Sequence, residues 1–292
     1  EPESESDSET GFLKSINIKK SPKESICIQK PLSVGIYLNS DLPEIIESGY
    51  VEFIGKNVIQ KFVNEIIRLN TKFTKIFKIK KPLLLTEEDG VDFINATHCY
   101  YCEKELESDK VKDHDHLTGK YRGAAHSQCN LNEGKQHKFV PILFYNNSKY
   151  DNHLFIKELL TKCSTQNINY SILPKSDEDF ISFTIGCLRF LDAFRFFTPC
   201  SLETMGKTLA PTDCKILSQF NLKNSKGIFP YDYIKWKTYQ DIEKLLKEEA
   251  LPQHSQFFSK LKQSNISESD YNQARDNWKI LNCKKMEDYL LY

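Results

Sequence analysis

Residues 99–130 read CYYCEKELESDKVKDHDHLTGKYRGAAHSQCN, and the fold around them turns on this stretch. The whole segment 98–134 is small, polar and rich in Cys, His, Asn and Gly. A segment of that size with so few apolar side chains is hard put to build a core, so a metal staple is the physical expectation. Two short-spaced pairs supply one. Cys99-x-x-Cys102 and His126-x-x-Cys129 each let two side chains grip one ion from a tight turn. Together they offer the four nitrogen and sulfur donors of a closed tetrahedral zinc site. With all four positions filled by protein, this zinc is expected to be structural. His98 adjoins Cys99 but breaks the pair spacing, and it is left out of the set.

Between the pairs lies Val111-Lys112-Asp113-His114-Asp115-His116. Its alternation predicts a strand, with Asp113 and Asp115 on one face and His114 and His116 on the other. Residues 117–123 read as the returning hairpin with Gly119 and Gly123 at turns, and His126 to about Gly134 as a short helix carrying Asn130. These residue types fit phosphodiester hydrolysis. A neutral histidine, His114, can take the proton from water. A carboxylate and an amide oxygen, Asp113 and Asn130, can hold Mg²⁺ or Mn²⁺ and leave room for phosphate. Lys120 and Arg122 can grip the backbone.

Working outward, Leu32 to Leu38 alternates as a strand. Val58, Ile59, Phe62, Val63, Ile66, Ile67 and Leu69 predict a one-faced helix over about 56–70. Residues 72–85 read as basic extended chain ended by Pro82. The run Lys56 to Lys81 carries Lys56, Lys61, Arg68, Lys72, Lys75, Lys78, Lys80 and Lys81 against Glu65. Two readings stand level: a phosphate contact, or the wet face of an amphipathic helix followed by a strand edge. Beyond the polar module, 141–145 reads as a buried strand and Asp151 as the start of a helix. Strands follow near 168–173, 179–185 and 187–194. Ser201 reads as an N-cap, and Ser267-x-x-Asp270 opens a helix to about Cys283. A last short helix starts near Lys285. Phe194, Phe196 and Phe197 read as strand and core, and His254 as solvated.

The bounds are those of a globular chain. There are 292 residues, 39% hydrophobic and 27% charged, with zero net charge, so nucleic-acid binding is not announced globally. No apolar run reaches the ~18–20 residues that cross a bilayer. Residues 1–30 begin as an acidic, serine-rich stretch that reads as a disordered tail rather than a secretory signal. Nine cysteines without a signal favour a metal site over disulfides, and an intracellular location. The expected fold is α+β. Its parts are a tail (1–30), two flanking pieces of one domain (31–86 and 139–292), and an inserted metal-bound module (87–138).

Cys99-x-x-Cys102, Asp113-His114-Asp115-His116, Gly119, Arg122-Gly123 and Cys129-Asn130 together resemble phage recombination endonuclease VII, of the His-Me finger superfamily. The resemblance implies a ββα finger with zinc at the four bracket positions, although His126 stands where that family usually has cysteine. It also implies Mg²⁺ on Asp113 and Asn130, His114 as general base, and His116 assisting at the phosphate. The flanks resemble the exonuclease region of protein-primed family-B DNA polymerases, of Polinton and related viral or organellar kinds. The resemblance rests on Phe144 to Asp151, Arg189 to Phe194, Ser201-Leu202 and Gly227 to Tyr231. It implies an RNase H-like mixed sheet interrupted by the finger. Asn146, Tyr150 and Asp151 would be a second exonuclease motif and Tyr292 the tyrosine of a third. On that reading the chain is a fragment of a larger polymerase, without proofreading or synthesis of its own, and nuclear if its source is a eukaryotic transposon. The expected partner is DNA, whether branched, nicked or single-stranded, and no membrane. The alternatives are a zinc-folded nucleic-acid-binding module that does not cut, and a non-catalytic remnant. An intact Asp113, His114 and Asn130 set favours the enzyme, because binding alone needs no general base.

Overall fold

A computed structural model describes residues 31–134, 139–147, 151–176, 179–196, 200–210, 222, 227–234 and 239–291. Expectations for the acidic tail, Tyr150, Phe197 and Tyr292 lie outside those residues. The chain opens with an antiparallel pair, β1 (Ser33–Leu38) and β2 (Gly49–Ile54), in register from Ser33 opposite Ile54 to Leu38 opposite Gly49. Helix α1 (Val58–Ile76) follows. It runs six residues past the expected end, so 72–76 are helical rather than extended. Leu69, Phe73 and Ile76 continue the apolar spacing, and Phe73 is buried.

A four-stranded sheet has the order β5-β8-β7-β6, built from β5 (Val140–Phe144), β6 (Tyr170–Ser176), β7 (Asp179–Ile185) and β8 (Leu188–Asp192). β5 and β8 run parallel, and the other two pairings are antiparallel. The parallel pair needs a crossover, which the intervening helix α4 (Asp151–Thr165) helps to supply. The main core joins Phe62, Val63, Ile66, Ile67 and Phe73 of α1 to Phe155, Leu159, Leu160 and Cys163 of α4, over Phe183, Ile185, Leu188 and Phe190 of the sheet. Stacked rings of Phe183 and Phe190, 4.2 Å between centroids, lie at its centre. Asn70 reaches out of this core to accept from the Cys187 N–H at 3.0 Å, which ties α1 to the β7–β8 turn.

The protein is thus α+β, with one mixed sheet and two separate two-stranded sheets among the described residues. β1 and β2 pair only with each other there. Beyond the sheet, Ala193–Arg195 is a 3-10 turn and Phe196 is exposed, so the expected strand through Phe194 stops at Asp192. Asp192 ends it by accepting the Phe194 N–H at 3.0 Å. Ser201 caps α5 (Leu202–Thr208) as expected, its Oγ accepting from Thr204 N at 3.0 Å. A second, smaller core gathers Phe257, Ala274, Cys283 and Tyr289 with Trp278. Around it lie α6 (Tyr239–Leu246), α7 (Glu268–Ile280) and α8 (Met286–Leu291). His254 is not a solvated residue there: its Nε2 lies 2.7 Å from the Ile266 carbonyl. Among the described residues, no helix is long and apolar enough to cross a membrane.

Two helices belong to the polar module. α2 (Glu87–Asn95) was not foreseen, although Thr86-x-x-Asp89 spells a capping box: Thr86 Oγ1 accepts from Asp89 N, and Asp89 accepts from Thr86 N. α3 (Ser127–Gly134) is the helix foreseen to carry Asn130.

Candidate metal centre and nuclease site

The module is built on an antiparallel pair, β3 (Lys110–His114) and β4 (Tyr121–His126), with α3 packed against both. Together they make the expected ββα unit. The pair has a bulge: Asp113 faces Gly123, yet His114 faces Tyr121, so Arg122 is the extra residue. The strand ends at His114 rather than reaching His116. Asp115 turns the chain instead, its Oδ1 accepting from the N–H groups of Leu117 and Thr118, both at 2.8 Å. These N–H groups outweigh the cost of burial and hold the Asp115 carboxyl below its ordinary value. The turn closes at Gly119, whose φ of +82° suits glycine and whose Cβ, if present, would lie 2.7 Å from the Pro82 carbonyl. Gly123, expected at a turn, lies inside β4 instead. A Cβ there would meet the Tyr100 side chain at 2.9 Å, so close ring packing is what requires glycine.

The chain before the module is part of it. Lys81 N–H donates to the His116 carbonyl and Leu84 N–H to the Gly119 carbonyl, both at 2.8 Å. Leu84 also bridges Lys120 in parallel. α2 is tied down by the Tyr121 hydroxyl on Asp92 and by Lys110 Nζ, which donates to the carbonyl of Ala96 at 2.7 Å and lies over the Phe93 ring.

At the candidate metal centre, the sulfurs of Cys99, Cys102 and Cys129 all lie within 4.8 Å of one another. Cys99 is buried. Burial resists its ionisation, but the N–H groups of Cys102, His126 and Tyr101 prevail and hold its thiol down at about 6. Cys129 is pushed up to about 11 by burial and by the neighbouring Cys102 and Cys99 sulfurs. Three converging sulfurs suit a soft cation such as zinc. His126 stands outside that group of three. Its Nδ1 lies 2.9 Å from Asp109 Oδ1, and this carboxylate raises the affinity of the ring for a proton. The same pairing leaves Nε2 as the nitrogen available to an ion, the arrangement in which carboxylates orient metal-bound histidines.

In the candidate nuclease site, Asp113 is 2% exposed. Arg122 grips it with two bonds, Nε to Oδ2 at 2.7 Å and Nη2 to Oδ1 at 3.1 Å, and the Tyr101 hydroxyl donates to Oδ2 at 2.8 Å. Burial and the bond to Asp113 raise the pKa of Tyr101, keeping it a donor. Arg122, expected to hold phosphate, is therefore engaged by the buried carboxylate. Lys120 is exposed. His114 Nε2 lies 3.2 Å from the Lys81 carbonyl, and the His114 and His116 rings meet edge to face, 4.9 Å between centroids. A carbonyl only accepts, so this contact places a proton on Nε2, and in the neutral ring the lone pair then lies on Nδ1. Asn130 follows Cys129 on α3, which packs on β3 and β4. One carboxylate and one amide oxygen are the right kind of donors for Mg²⁺ or Mn²⁺, provided Arg122 releases an oxygen of Asp113. Tyr101, the Lys81 carbonyl and Asp109 are not among the expected site groups. The first two act through a hydroxyl inside the CxxC pair and a backbone carbonyl, neither of which has a sequence signal.

The expected exonuclease motif is only partly described. Asn146 adopts a left-handed conformation, with φ of 58°, and its N–H donates to Asp192 Oδ1 at 2.8 Å. Asp151 lies in the first turn of α4, and burial and the nearby Asp192 raise its carboxyl pKa.

Residues 79–161, less than a third of the chain, match the family model for recombination endonuclease VII. The match starts two residues before Lys81 and ends inside α4. No curated protein and no solved structure gives a significant match.

Proposed function

We propose that the endonuclease VII-like domain is a working nuclease that hydrolyses phosphodiester bonds in DNA, with His114 as its general base. The observation that carries this reading is the contact between His114 Nε2 and the Lys81 carbonyl. It fixes the tautomer, leaving Nδ1 to take a proton from water and the carbonyl to steady the imidazolium that results. His116, packed edge-on against that ring, assists at the phosphate. Asp113 and Asn130 are the ligands proposed for Mg²⁺ or Mn²⁺, which when bound polarises the phosphate and offsets its charge. Zinc on Cys99, Cys102, Cys129 and the Nε2 of His126 holds the ββα unit together and takes no part in chemistry. Tyr101 and Arg122 position Asp113. Lys120 is proposed to contact the backbone.

The flanking chain we infer to be RNase H-like, of the family-B polymerase exonuclease kind. What favours this is the approach of Asp151 to Asp192, which closes β8 beside the parallel β5. Sequence following Tyr292 tests it, because the polymerase reading requires an aspartate four positions on.

A nicking assay tests the nuclease. The purified chain is incubated with supercoiled plasmid and with a four-way junction, with Mg²⁺ or Mn²⁺, beside His114→Ala. Cleavage by the wild type, lost in the variant at unchanged zinc content, is the expected result. Binding without cleavage under either metal would leave a zinc-folded binding module instead.

A further inference from the structure

The nuclease reading leaves a charge problem that the rest of the chain resolves. Arg122, which was expected to hold phosphate, is committed to Asp113 by two bonds. Phosphates approaching His114 need cations from elsewhere. No acidic residue occurs between Glu65 and Glu87, while Arg68, Lys72, Lys75, Lys78, Lys80 and Lys81 fall in that interval. All five lysines are exposed. Among the described residues none of them has a carboxylate at ion-pair distance, whereas Arg68 is paired with Glu65.

Their placement is ordered. Lys61, Arg68, Lys72 and Lys75 are spaced seven, four and three residues apart, which puts them on one stripe of α1. Phe62, Val63, Ile66, Ile67 and Phe73 turn the opposite face of that helix into the core, so the stripe faces solvent. From Lys61 to Lys75 it runs about 21 Å at the rise of an α-helix. At one phosphate per ~3.4 Å of axis on each strand, that spans roughly six phosphates. Lys78, Lys80 and Lys81 extend it past Ile76, and Lys81 is the residue whose carbonyl meets His114 and whose N–H meets the His116 carbonyl. The basic track thus ends at the candidate catalytic histidines, and most of it precedes the part of the chain that matches endonuclease VII.

We infer that the stripe Lys72, Lys75, Lys78 and Lys80 is a backbone-binding track that delivers DNA to His114. The inference rests on the nuclease reading for its destination, but its test does not depend on cleavage. Of the two level readings of the basic run, the phosphate contact is favoured by the unpaired lysines and by their ending at the site, and a purely solvated face becomes the outcome that overturns it.

The experiment measures anisotropy of a fluorescein-labelled 24-base-pair duplex against the zinc-loaded chain, without added Mg²⁺, over a series of NaCl concentrations. The variant is Lys72→Ala/Lys75→Ala/Lys78→Ala/Lys80→Ala, and the control is Lys244→Ala/Lys247→Ala/Lys260→Ala/Lys262→Ala. Each phosphate contact contributes about 0.9 to the slope of log K against log salt. The expected result is a slope shallower by about 3–4 in the variant and unchanged in the control. An equal slope in variant and wild type, an equal loss in the control, or no salt-dependent binding by the wild type overturns the inference. Cleavage distinguishes this from the nuclease reading. A chain that binds with the lysine-dependent slope but never nicks loses the nuclease and keeps the track. A chain that nicks with an unaltered slope does the reverse.

Discussion

Replacing Arg122 by alanine strands a buried carboxylate, and the size of the effect can be worked from its surroundings. Asp113 is 2% exposed, while the Arg122 side chain is 33% exposed. Removing one partner of a fully buried pair costs about 3–5 kcal/mol. Here water reaches the guanidinium side and the Tyr101 hydroxyl still bonds Oδ2, so about 2–3 kcal/mol is expected. For a chain of this size each kcal/mol shifts Tm by about 2–4 °C, which predicts a fall of about 4–12 °C. A double-mutant cycle with Asp113→Asn isolates the pair from general surface effects, and coupling of at least about 1.5 kcal/mol is expected from urea unfolding. Mg²⁺ should then stabilise Arg122→Ala more than wild type, because in the wild type it must first displace the guanidinium. Coupling below about 0.5 kcal/mol would refute the idea that Arg122 holds Asp113, and would return Arg122 to the phosphate.

Two other predictions bear on the turn and the metal centre. Gly119→Ala forces a Cβ into the left-handed region and to within 2.7 Å of the Pro82 carbonyl. It should cost about 1–3 kcal/mol and depress nicking, whereas Gly90→Ala, with open space around it, should do neither. The Cys99 thiol ionises at about 6 instead of its ordinary 9.0, so its thiolate stabilises the zinc-free chain fully above pH 9.0. That contribution is lost as pH falls through about 6. The urea midpoint of the zinc-free chain should drop across that window, and Cys99→Ser should flatten the profile.

The sequence made different parts of the structure legible for different physical reasons. Elements with strong local signals were readable: the alternation of β1, the Ser201 and Ser267 caps, and the apolar stripe of α1 as far as Leu69. What failed locally was the handling of mixed signals. Lysines between Leu69 and Ile76 hid a helix that its apolar spacing continued, and a glycine in Gly123 suggested a turn where a tyrosine ring needed room. At the site, residue type and spacing were enough to draw attention to Asp113, His114, Asn130 and the three clustered cysteines. They were not enough to find the groups those residues touch. The Arg122 bond to Asp113 depends on a bulge, the Asp109 bond to His126 on a pairing seventeen residues apart, and the Lys81 contact on a carbonyl that every residue possesses. The sheet order likewise follows from long-range pairing, which short sequence windows do not encode.

The Lys81 carbonyl has a practical consequence for any attempt to isolate the finger. A piece cut at Thr97, just before the first cysteine, would keep every proposed zinc ligand and could still fold around its ion. It would nevertheless lose the oxygen that pins the imidazole proton of His114 and the N–H of Leu84 that braces Gly119. In such a piece the ring could exchange between its two neutral forms, and only one of them presents a lone pair to water at Nδ1. A failure of such a piece to nick DNA would therefore report where the scissors fell, and would leave the role proposed for His114 in the whole chain untouched.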